Sequence, residues 1–270
     1  MKKARLDALV FERGLCESRE RAKTTVMAGL VYVNGQKSDK PGAQIPIDAE
    51  ITVKGSACPY VSRGGFKLEK AIKVFRIDST DKICLDCGAS TGGFTDVLLQ
   101  NGAAKVYAVD VGYGQLAWKL RQDERVVNLE KTNARFLDET IIPEECAISV
   151  TDASFISLKL LLPAICKVSA ENADIVCLIK PQFEAGREEV GKHGVVRDSS
   201  VHARVCREII EFASEQGLIC LGLDYSPIKG PEGNIEFIVH FKKSTQREEY
   251  TLFDTQLIDT ICQSAGGELN

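Results

Sequence analysis

The apolar residues between positions 82 and 242 fall into short runs, which are separated by longer stretches that contain more polar residues. The runs cover residues 83–85, 106–110, 126–129, 148–152, 175–179, 218–223 and 235–241. Helical stretches lie between several of them, and residues 199–216 are one example. Strands that alternate with helices are typical of a mostly parallel sheet covered by helices on both faces. The pattern therefore predicts an α/β, doubly wound domain.

The first 58 residues carry a different pattern, of short helices and shorter strands. Helical periodicity covers residues 5–15 and 19–28, and strand-like residues cover 31–33 and 45–53. Ser18 can cap the second helix, and Asn34-Gly35 is a strong signal for a hairpin turn. We expect a small α+β domain over residues 1–58 and a larger domain over residues 59–270.

Composition and the first residues narrow the class of protein. The chain has 270 residues, 44% of them hydrophobic, which is enough for a sizeable core. It contains no run of about 18 apolar residues, so no transmembrane helix is expected. The charged start resembles that of a signal peptide, but Asp7, Glu12 and Arg13 interrupt any apolar stretch after it. We expect a cytosolic protein without a membrane partner.

The cysteines and histidines do not form a pattern typical of a metal site. The ten cysteines are scattered, several of them in apolar runs, which favours reduced and buried thiols. Cys84 and Cys87 have C-x-x-C spacing, but no second pair at zinc spacing accompanies them, so a metal or redox role is the less favoured alternative. The histidines at positions 193, 202 and 240 are dispersed. We therefore expect no metal.

Charge is distributed unevenly along the chain. Residues 1–73 contain 14 Lys+Arg against 8 Asp+Glu, a net charge of +6, whereas the remaining residues contain 20 against 30, a net charge of −10. A basic N-terminal segment on an acidic body suggests that the segment binds a polyanion. An ordinary solvated surface would show the same asymmetry, so charge alone does not decide between the two.

Motifs in the N-terminal segment resemble the RNA-binding domain of the ribosomal protein S-four type. They are residues 5–9, Ser18-Arg19 with Ala22, Gly29, and residues 31–35. The resemblance covers most of residues 3–54 and implies an RNA-facing surface. The basic residues that it would place there are Arg5, Arg19, Arg21, Lys23 and Lys37. Such side chains contact phosphates, which provides affinity without sequence information.

A glycine-rich turn in the larger domain marks a candidate ligand site. The predicted strand that ends at Asp86 runs into residues 87–94, Cys-Gly-Ala-Ser-Thr-Gly-Gly-Phe, and then into a helix. Glycines at this place let a ligand approach the backbone at the carboxyl edge of the sheet. The spacing is not G-x-G-x-x-G, which counts against a dinucleotide. Asp110 ends the next strand, where a carboxylate can accept both hydroxyls of an adenosine ribose.

Residues 86–94 resemble motif I of the Rossmann-like methyltransferases, in the form D-x-G-x-x-x-G-G-F. The resemblance implies S-adenosylmethionine as the cofactor, with its amino-acid part in the turn and its ribose on Asp110. The residues predicted to bind it are Asp86, Gly88, Ala89, Ser90, Thr91, Gly92, Gly93, Phe94 and Asp110. By the same resemblance, Asn133 and Ala134, just after the third strand, should lie near the adenine.

Four further residues match the Lys-Asp-Lys-Glu tetrad of the FtsJ-type ribose 2′-O-methyltransferases. They are Lys67, Asp152, Lys180 and Glu236, in that order along the chain. Together with the N-terminal motifs, they make the chain similar to the TlyA family of rRNA methyltransferases, whose members were historically called haemolysins. The resemblance covers essentially the whole chain. It implies 2′-O-methylation of cytidine in ribosomal RNA, with ribosomal subunits as the partners.

The chemistry of methyl transfer accounts for these residue types independently. A ribose hydroxyl is a poor nucleophile near neutral pH and must lose its proton as the methyl group transfers. A desolvated lysine can accept that proton, and Lys180, at the end of an apolar strand, is the predicted base. Asp152 would orient Lys180, while Lys67 and Glu236 would complete the charge network. Residues 152–155, Asp-Ala-Ser-Phe, also depart from the Asn-Pro-Pro-Tyr motif of amino methyltransferases, which favours oxygen as the acceptor.

Three functions remain open at this point. The first is the rRNA 2′-O-methyltransferase, which the tetrad and the glycine-rich turn favour. The second is an RNA-binding ribosome-assembly factor with an inactive methyltransferase fold. The third and least favoured is a membrane-acting haemolysin, because the sequence contains neither a recognisable secretion signal nor a run long enough to span a membrane.

Overall fold

The computed structural model describes residues 3–16, 18–54, 58–246, 248 and 250–269. The chain divides into two compact units, Met1–Pro59 and Tyr60–Asn270. Each unit has its own buried apolar cluster.

The first unit contains short helices and strands. In chain order its elements are β1 (Lys3–Arg5), α1 (Leu6–Glu12), α2 (Arg19–Met27), β2 (Val31–Val33), β3 (Gln36–Lys37), β4 (Gln44–Pro46) and β5 (Ile51–Val53). β1 pairs antiparallel with β4, and β2 lies between β3 and β5 in an antiparallel sheet. Helices α1 and α2 pack together, and this packing fully buries Leu6 and Val10 of α1 and Val26 of α2. Ser18 caps α2 as predicted, since its hydroxyl oxygen accepts from the backbone N of Arg21 at 3.1 Å.

The second unit alternates helices and strands. Its elements are α3 (Gly65–Phe75), β6 (Ile83–Cys87), α4 (Gly93–Gln100), β7 (Lys105–Val109), α5 (Trp118–Arg121), β8 (Val126–Leu129), β9 (Cys146–Thr151), α6 (Leu158–Val168), β10 (Ser169–Ile179), α7 (Pro181–Glu184), α8 (Ser199–Glu215), β11 (Leu218–Tyr225), β12 (Phe237–Lys243) and α9 (Ile258–Glu268). Apolar residues of α6, α8 and α9 pack with residues of the sheet in one buried cluster. This packing holds the strand ends that carry the candidate active site.

The strands of the second unit form a seven-stranded sheet in the order β11-β12-β10-β9-β6-β7-β8. Neighbours from β10 to β8 are parallel, whereas β12 is antiparallel to both β10 and β11. The predicted mostly parallel α/β fold is confirmed. Successive strands run outward from β6 to β8 on one side of the sheet and from β9 to β10 on the other. The strand order reverses between β6 and β9, and this place is the topological switch point of the sheet. Doubly wound sheets bind ligands at the carboxyl ends of such strands.

Several boundaries differ from the sequence expectations. β10 begins at Ser169 rather than at residue 175, because Ser169 pairs with Cys146 of β9 before an irregularity in the register. β12 begins at Phe237, so Glu236 precedes its strand. Helix α3 was not predicted from the sequence, where the residues around Lys67 stood out only as a motif, although the helix is amphipathic.

The structure also bears on the cysteines and on membrane insertion. All ten cysteines fall within the described ranges, and each is a free thiol. Burial raises the pKa of the Cys84 and Cys87 thiols to about 12, so both are uncharged near neutral pH. In the described part of the chain, no helix is long and apolar enough to cross a bilayer.

Candidate active site

The turn after β6 depends on glycine where β6 and β9 lie side by side. Gly88 has φ of +84°, and a Cβ there would lie 2.9 Å from the Cα of Ala153, which follows β9. The backbone N atoms of Gly88 and Ala89 both donate to the carbonyl oxygen of Val109, at 2.8 and 3.0 Å. The turn is therefore tied to β7 on one side and pressed against the end of β9 on the other. Its exposed backbone faces a pocket at the switch point.

Asp110 follows β7, and two backbone amides hold its carboxylate. Oδ2 accepts from the N of Ser90 at 2.8 Å, and Oδ1 accepts from the N of Gly112 at 2.7 Å. The residue is half-buried and lines a pocket together with Asn133 and Ala134. Each carboxylate oxygen keeps acceptor capacity for a further hydrogen bond, as from a ribose hydroxyl.

Asp86 lies at the end of β6 and is buried. Its Oδ2 accepts from Thr95, from the backbone N at 2.8 Å and from Oγ1 at 2.6 Å. Its Oδ1 is also buried, and no described residue donates to it. Burial raises the pKa of Asp86 to about 7, and the hydrogen bonds from Thr95 offset only part of this effect. A buried carboxylate oxygen without a donor, at the wall of a pocket, is suited to an ammonium group.

These features match the chemistry of the expected cofactor. The pocket at Asp86 and the pocket at Asp110 share Gly88 and Ser90 in their walls, so they form one continuous cleft. The cleft offers one carboxylate to an ammonium group and another to a pair of hydroxyls. S-adenosylmethionine carries an ammonium group on its methionine part and two hydroxyls on its ribose. The residues present therefore fit this cofactor.

The predicted turn residues do not all face the cleft. Gly92 lines neither pocket, and its lack of a side chain instead makes room for Leu116 and Leu120. The other predicted cofactor residues line one pocket or both, and they are Asp86, Gly88, Ala89, Ser90, Thr91, Gly93, Phe94, Asp110, Asn133 and Ala134.

The four predicted tetrad residues meet at the switch point. Lys67 Nζ lies 3.0 Å from Oδ2 of Asp152 and 2.6 Å from Oε2 of Glu236. Lys180 Nζ lies 2.7 Å from Oδ1 of Asp152. Helix α3, the ends of β9 and β10 and the segment before β12 supply the four side chains. The side chains of Lys67, Lys180 and Glu236 are buried, and 19% of the Asp152 side chain is exposed toward the pocket.

The two lysines differ in their surroundings. Burial opposes the charge on Lys67, but Asp152 and Glu236 outweigh it and raise the pKa of this amine above its ordinary value. Lys180 contacts one carboxylate, and its Nζ also donates to the backbone oxygen of Asp152 at 2.9 Å and to Oγ of Ser154 at 2.8 Å. Lys67 is therefore a fixed positive charge, whereas Lys180 has two uncharged partners.

Several residues near the tetrad were not predicted from the sequence. Ser154 stands inside the Asp-Ala-Ser-Phe motif, yet nothing in the motif indicates a contact with Lys180. Arg63 and Lys229 line the same pocket as the tetrad. Phe155 projects beside the cleft, with 89% of its surface exposed and φ of +64°. No local sequence signal distinguishes Lys229 from a loop lysine on the surface.

In the first unit, the predicted RNA-facing residues have different environments. Arg5 forms an ion pair with the buried Asp7, at 2.7 Å between Nη2 and Oδ2, which lowers the pKa of that carboxyl below its usual range. Arg21 donates to the carbonyl oxygen of Cys58. Arg19 and Lys23 are exposed one turn apart on α2. Lys37 is exposed on β3, where its stem covers a glycine, Gly29.

Comparison with known proteins agrees with this fold. Residues 60–243 match the family model described as FtsJ-like methyltransferase, and residues 4–51 match the S4 domain. These features define an S-adenosylmethionine-dependent methyltransferase joined to an S4 domain. The chain belongs to the TlyA family of these enzymes. S-adenosylmethionine is its cofactor.

Relatives resemble the chain over most of its length. It is 56% identical over 243 residues to the Bacillus subtilis (strain 168) protein named "Putative rRNA methyltransferase YqxC", covering 88% of this chain and 85% of that protein. It is 45% identical over 247 residues to "16S/23S rRNA (cytidine-2'-O)-methyltransferase TlyA" of Mycobacterium tuberculosis (strain ATCC 25618 / H37Rv), covering 91% and 92%. A solved structure described as "Putative hemolysin from Streptococcus thermophilus" has a TM-score of 0.78 and 48% identity, covering 99% of this chain and 97% of that one.

Proposed function

We propose that this enzyme transfers a methyl group to the ribose 2′-hydroxyl of a cytidine in ribosomal RNA. The network of ion pairs among Lys67, Asp152, Lys180 and Glu236 at the wall of the cofactor cleft carries the proposal. A hydroxyl acceptor must lose a proton during transfer, and this network supplies both an amine to take the proton and carboxylates to stabilise the ammonium that results. The name of the Mycobacterium tuberculosis relative supports ribosomal RNA and cytidine as the substrate.

Residues of the cleft would bind the cofactor at both of its ends. Asp86 would accept from the ammonium of the methionine part, and Asp110 would accept from the ribose hydroxyls. Asn133 and Ala134 would border the adenine. S-adenosylmethionine supplies the electrophilic methyl group, so the chain has to align the acceptor and remove its proton. Alignment of bound reactants can lower a barrier by roughly 7–11 kcal/mol.

Lys180 is the proposed base. Lys67 is unsuited to this role because Asp152 and Glu236 raise its pKa and keep it charged. Once Lys180 has lost one proton, its lone pair can accept the proton of the 2′-hydroxyl. Asp152, at 2.7 Å, would then stabilise the ammonium that forms. Lys67 and Glu236 would hold the Asp152 carboxylate in place, since Lys67 bridges the two acids.

Phe155 would provide a stacking surface for the base of the acceptor nucleotide. It lies three residues after Asp152 and its ring centroid is 5.1 Å from that of Phe183. A positive φ is costly for a bulky residue, and such strain often marks a functional site. Stacking of a base on an aromatic ring contributes roughly 1–3 kcal/mol. Phe155→Leu should therefore raise the KM for RNA and leave cofactor affinity unchanged; an unaltered KM would remove Phe155 from the acceptor site.

The first unit would bind the RNA away from the reacting nucleotide. We propose residues 1–58 as this RNA-binding domain, with Arg5, Arg19, Arg21, Lys23 and Lys37 contributing to its basic surface. The exposed Arg19, Lys23 and Lys37 are the members best placed to reach phosphates, because none of them makes an ion pair with a described carboxylate. An enzyme with this substrate would act in the cytosol, where ribosomal subunits are found.

Methyl transfer to ribosomal subunits tests the proposal. Purified enzyme and tritiated S-adenosylmethionine are incubated with small and large subunits from a strain that lacks the enzyme, and the labelled nucleotide is mapped. We expect the label on a cytidine ribose. A substrate with a single 2′-deoxy target nucleotide should then accept no methyl group, and transfer to it would move the acceptor to the base. Cofactor binding without transfer to either subunit would favour the inactive assembly factor.

A further inference from the structure

Two positively charged side chains lie at the rim of the tetrad pocket. Arg63 lies just before α3, and Lys229 lies between β11 and β12. Both line the pocket that also contains Lys67, Asp152 and Lys180. Arg63 is exposed and Lys229 is half-buried. Neither side chain forms an ion pair with a carboxylate of the described residues.

The backbone holds both cations beside the tetrad. Each is followed by a glycine that packs against a tetrad carboxylate. A Cβ at Gly64 would lie 3.8 Å from Oδ2 of Asp152, and a Cβ at Gly230 would collide with Oε1 of Glu236. The carbonyl oxygen of Gly64 also accepts from the N of Lys67 at 2.9 Å.

The loop that carries Lys229 is also held against the tetrad by backbone hydrogen bonds. The N of Ser226 donates to the carbonyl oxygen of Glu236 at 2.8 Å, and the N of Gly230 donates to the carbonyl oxygen of Asn234 at 2.9 Å. The segment that carries Lys229 therefore folds back over the carboxylate of Glu236. Arg63 and Lys229 thus stand on two separate loops that are each anchored to a different member of the tetrad.

The charges of the pocket leave a place for an anion. Lys67 and Lys180 are balanced by Asp152 and Glu236, with which they form ion pairs. The cofactor carries a sulfonium, an ammonium and a carboxylate, so it adds a net charge of +1, and Asp86 in the same pocket would balance its ammonium group. Even with the cofactor's carboxylate at one of these two cations, the pocket keeps an excess of positive charge, which favours a ligand that brings negative charge to the rim.

We propose that Arg63 and Lys229 bind the phosphodiester groups next to the target ribose and thereby position its 2′-hydroxyl. The inference rests on the proposed function. In an RNA chain, the carbon beside the one that bears the 2′-hydroxyl carries a phosphate, so an acceptor presented to Lys180 brings a phosphate to the same pocket. Arginine holds a phosphate through two parallel hydrogen bonds, and lysine holds it as a point charge. Such contacts position the strand and do not read its sequence.

The test compares Arg63→Gln and Lys229→Gln with Lys73→Gln, which removes an exposed lysine on α3 outside both pockets. Three quantities are measured, namely the KM for ribosomal subunits, the affinity for ribosomal RNA at several salt concentrations and the dissociation constant of S-adenosylmethionine. Each pocket variant should raise the KM roughly tenfold or more. The slope of log affinity against log salt should become shallower by about 0.7 for each phosphate that the variant no longer neutralises. The Lys73→Gln variant should match the wild type.

Unchanged cofactor affinity is expected, and it also shows that each variant is folded. A wild-type KM and salt slope in both pocket variants would overturn the inference. Weaker cofactor binding by Arg63→Gln would assign that cation to the carboxylate of the methionine part, and would overturn the inference for Arg63. Failure of the proposed function has a different signature, because the wild-type enzyme itself would then transfer no methyl group to RNA.

Discussion

The hydroxyl oxygen of Ser154 lies 2.8 Å from Nζ of Lys180. The backbone oxygen of Asp152 and its Oδ1 are the other two partners of this amine, at 2.9 and 2.7 Å. An ammonium group has three N–H donors, so all three are used when Lys180 is charged. Loss of a proton from Lys180 must therefore release one partner. Ser154 can adapt to that loss, because a hydroxyl can donate as well as accept.

Ser154→Ala should lower kcat, because Lys180 is then less precisely held, which costs roughly ten- to a hundredfold for misplaced groups. Single-turnover methyl transfer measures this effect. Ser154→Thr keeps the hydroxyl and should restore kcat. A wild-type kcat in Ser154→Ala would show that Ser154 only packs against Lys180.

Lys180→Met should abolish methyl transfer with little effect on the affinity for cofactor or RNA. Methionine keeps much of the apolar stem, so the packing at the end of β10 is retained, while the group that acts in the transition state is removed. Single-turnover transfer and cofactor titration measure the two effects. Lys159→Met, on the exposed side of α6 and outside both pockets, is the matched control and should remain active. Turnover by Lys180→Met would exclude Lys180 as the base.

Asp86→Asn should stabilise the cofactor-free protein at alkaline pH. Burial raises the pKa of Asp86 to about 7, from the ordinary value of 3.8 that applies in an unfolded chain, so the folded state holds a proton that the unfolded state has lost. The free energy of unfolding is therefore least affected below pH 3.8 and falls as pH rises from there to about 7. Above this range the destabilisation is complete, at most on the order of 4 kcal/mol.

Urea unfolding at pH 5 and pH 8 measures this effect. Asparagine carries no charge at either pH, so the variant should exceed the wild type by more at pH 8 than at pH 5. The same variant should bind S-adenosylmethionine more weakly, because the ammonium loses its carboxylate partner. An advantage of equal size at both pH values would mean that ionisation of Asp86 is not its cause.

Asp110→Ala should weaken cofactor binding by roughly 1.5–3 kcal/mol, because the ribose hydroxyls lose a charged acceptor. Asp123→Ala provides the control, since that carboxylate also accepts from the backbone N two residues later but lies outside both pockets. Calorimetric titration should show wild-type affinity for the control. An unchanged affinity in Asp110→Ala would remove Asp110 from the cofactor site.

Removal of residues 1–58 should leave a folded domain that binds S-adenosylmethionine but does not methylate ribosomal subunits. The compactness of Tyr60–Asn270 leads us to expect that it folds alone, and the S4 domain lies wholly in the removed part. Circular dichroism and cofactor titration check the folding, and tritium transfer checks the activity. The intact chain should also lose affinity for ribosomal RNA steeply as salt increases. Full activity of the shortened chain would contradict the proposed role of the first unit.

The fold and the cofactor cleft were the parts most accessible from the sequence. Asp86, the turn and Asp110 belong to consecutive elements, strand, turn, helix and strand, so their relative placement follows from local geometry once the α/β pattern is recognised. Even there, the spacing could not reveal that Gly92 makes room for Leu116 and Leu120 rather than for a ligand. That distinction depends on the side chains of a later segment.

The sequence by itself determined which residue types are available for methyl transfer, since the motifs around Lys67, Asp152, Lys180 and Glu236 are each local. Only the tertiary structure decided that Lys67 bridges Asp152 and Glu236, and that Arg63 and Lys229 share their pocket. Hydrophobic periodicity tells which side of an element is buried, but it does not tell which strands become neighbours. Strand order and packing bring these distant segments together, and the charges and burial that define the site exist only after they have met.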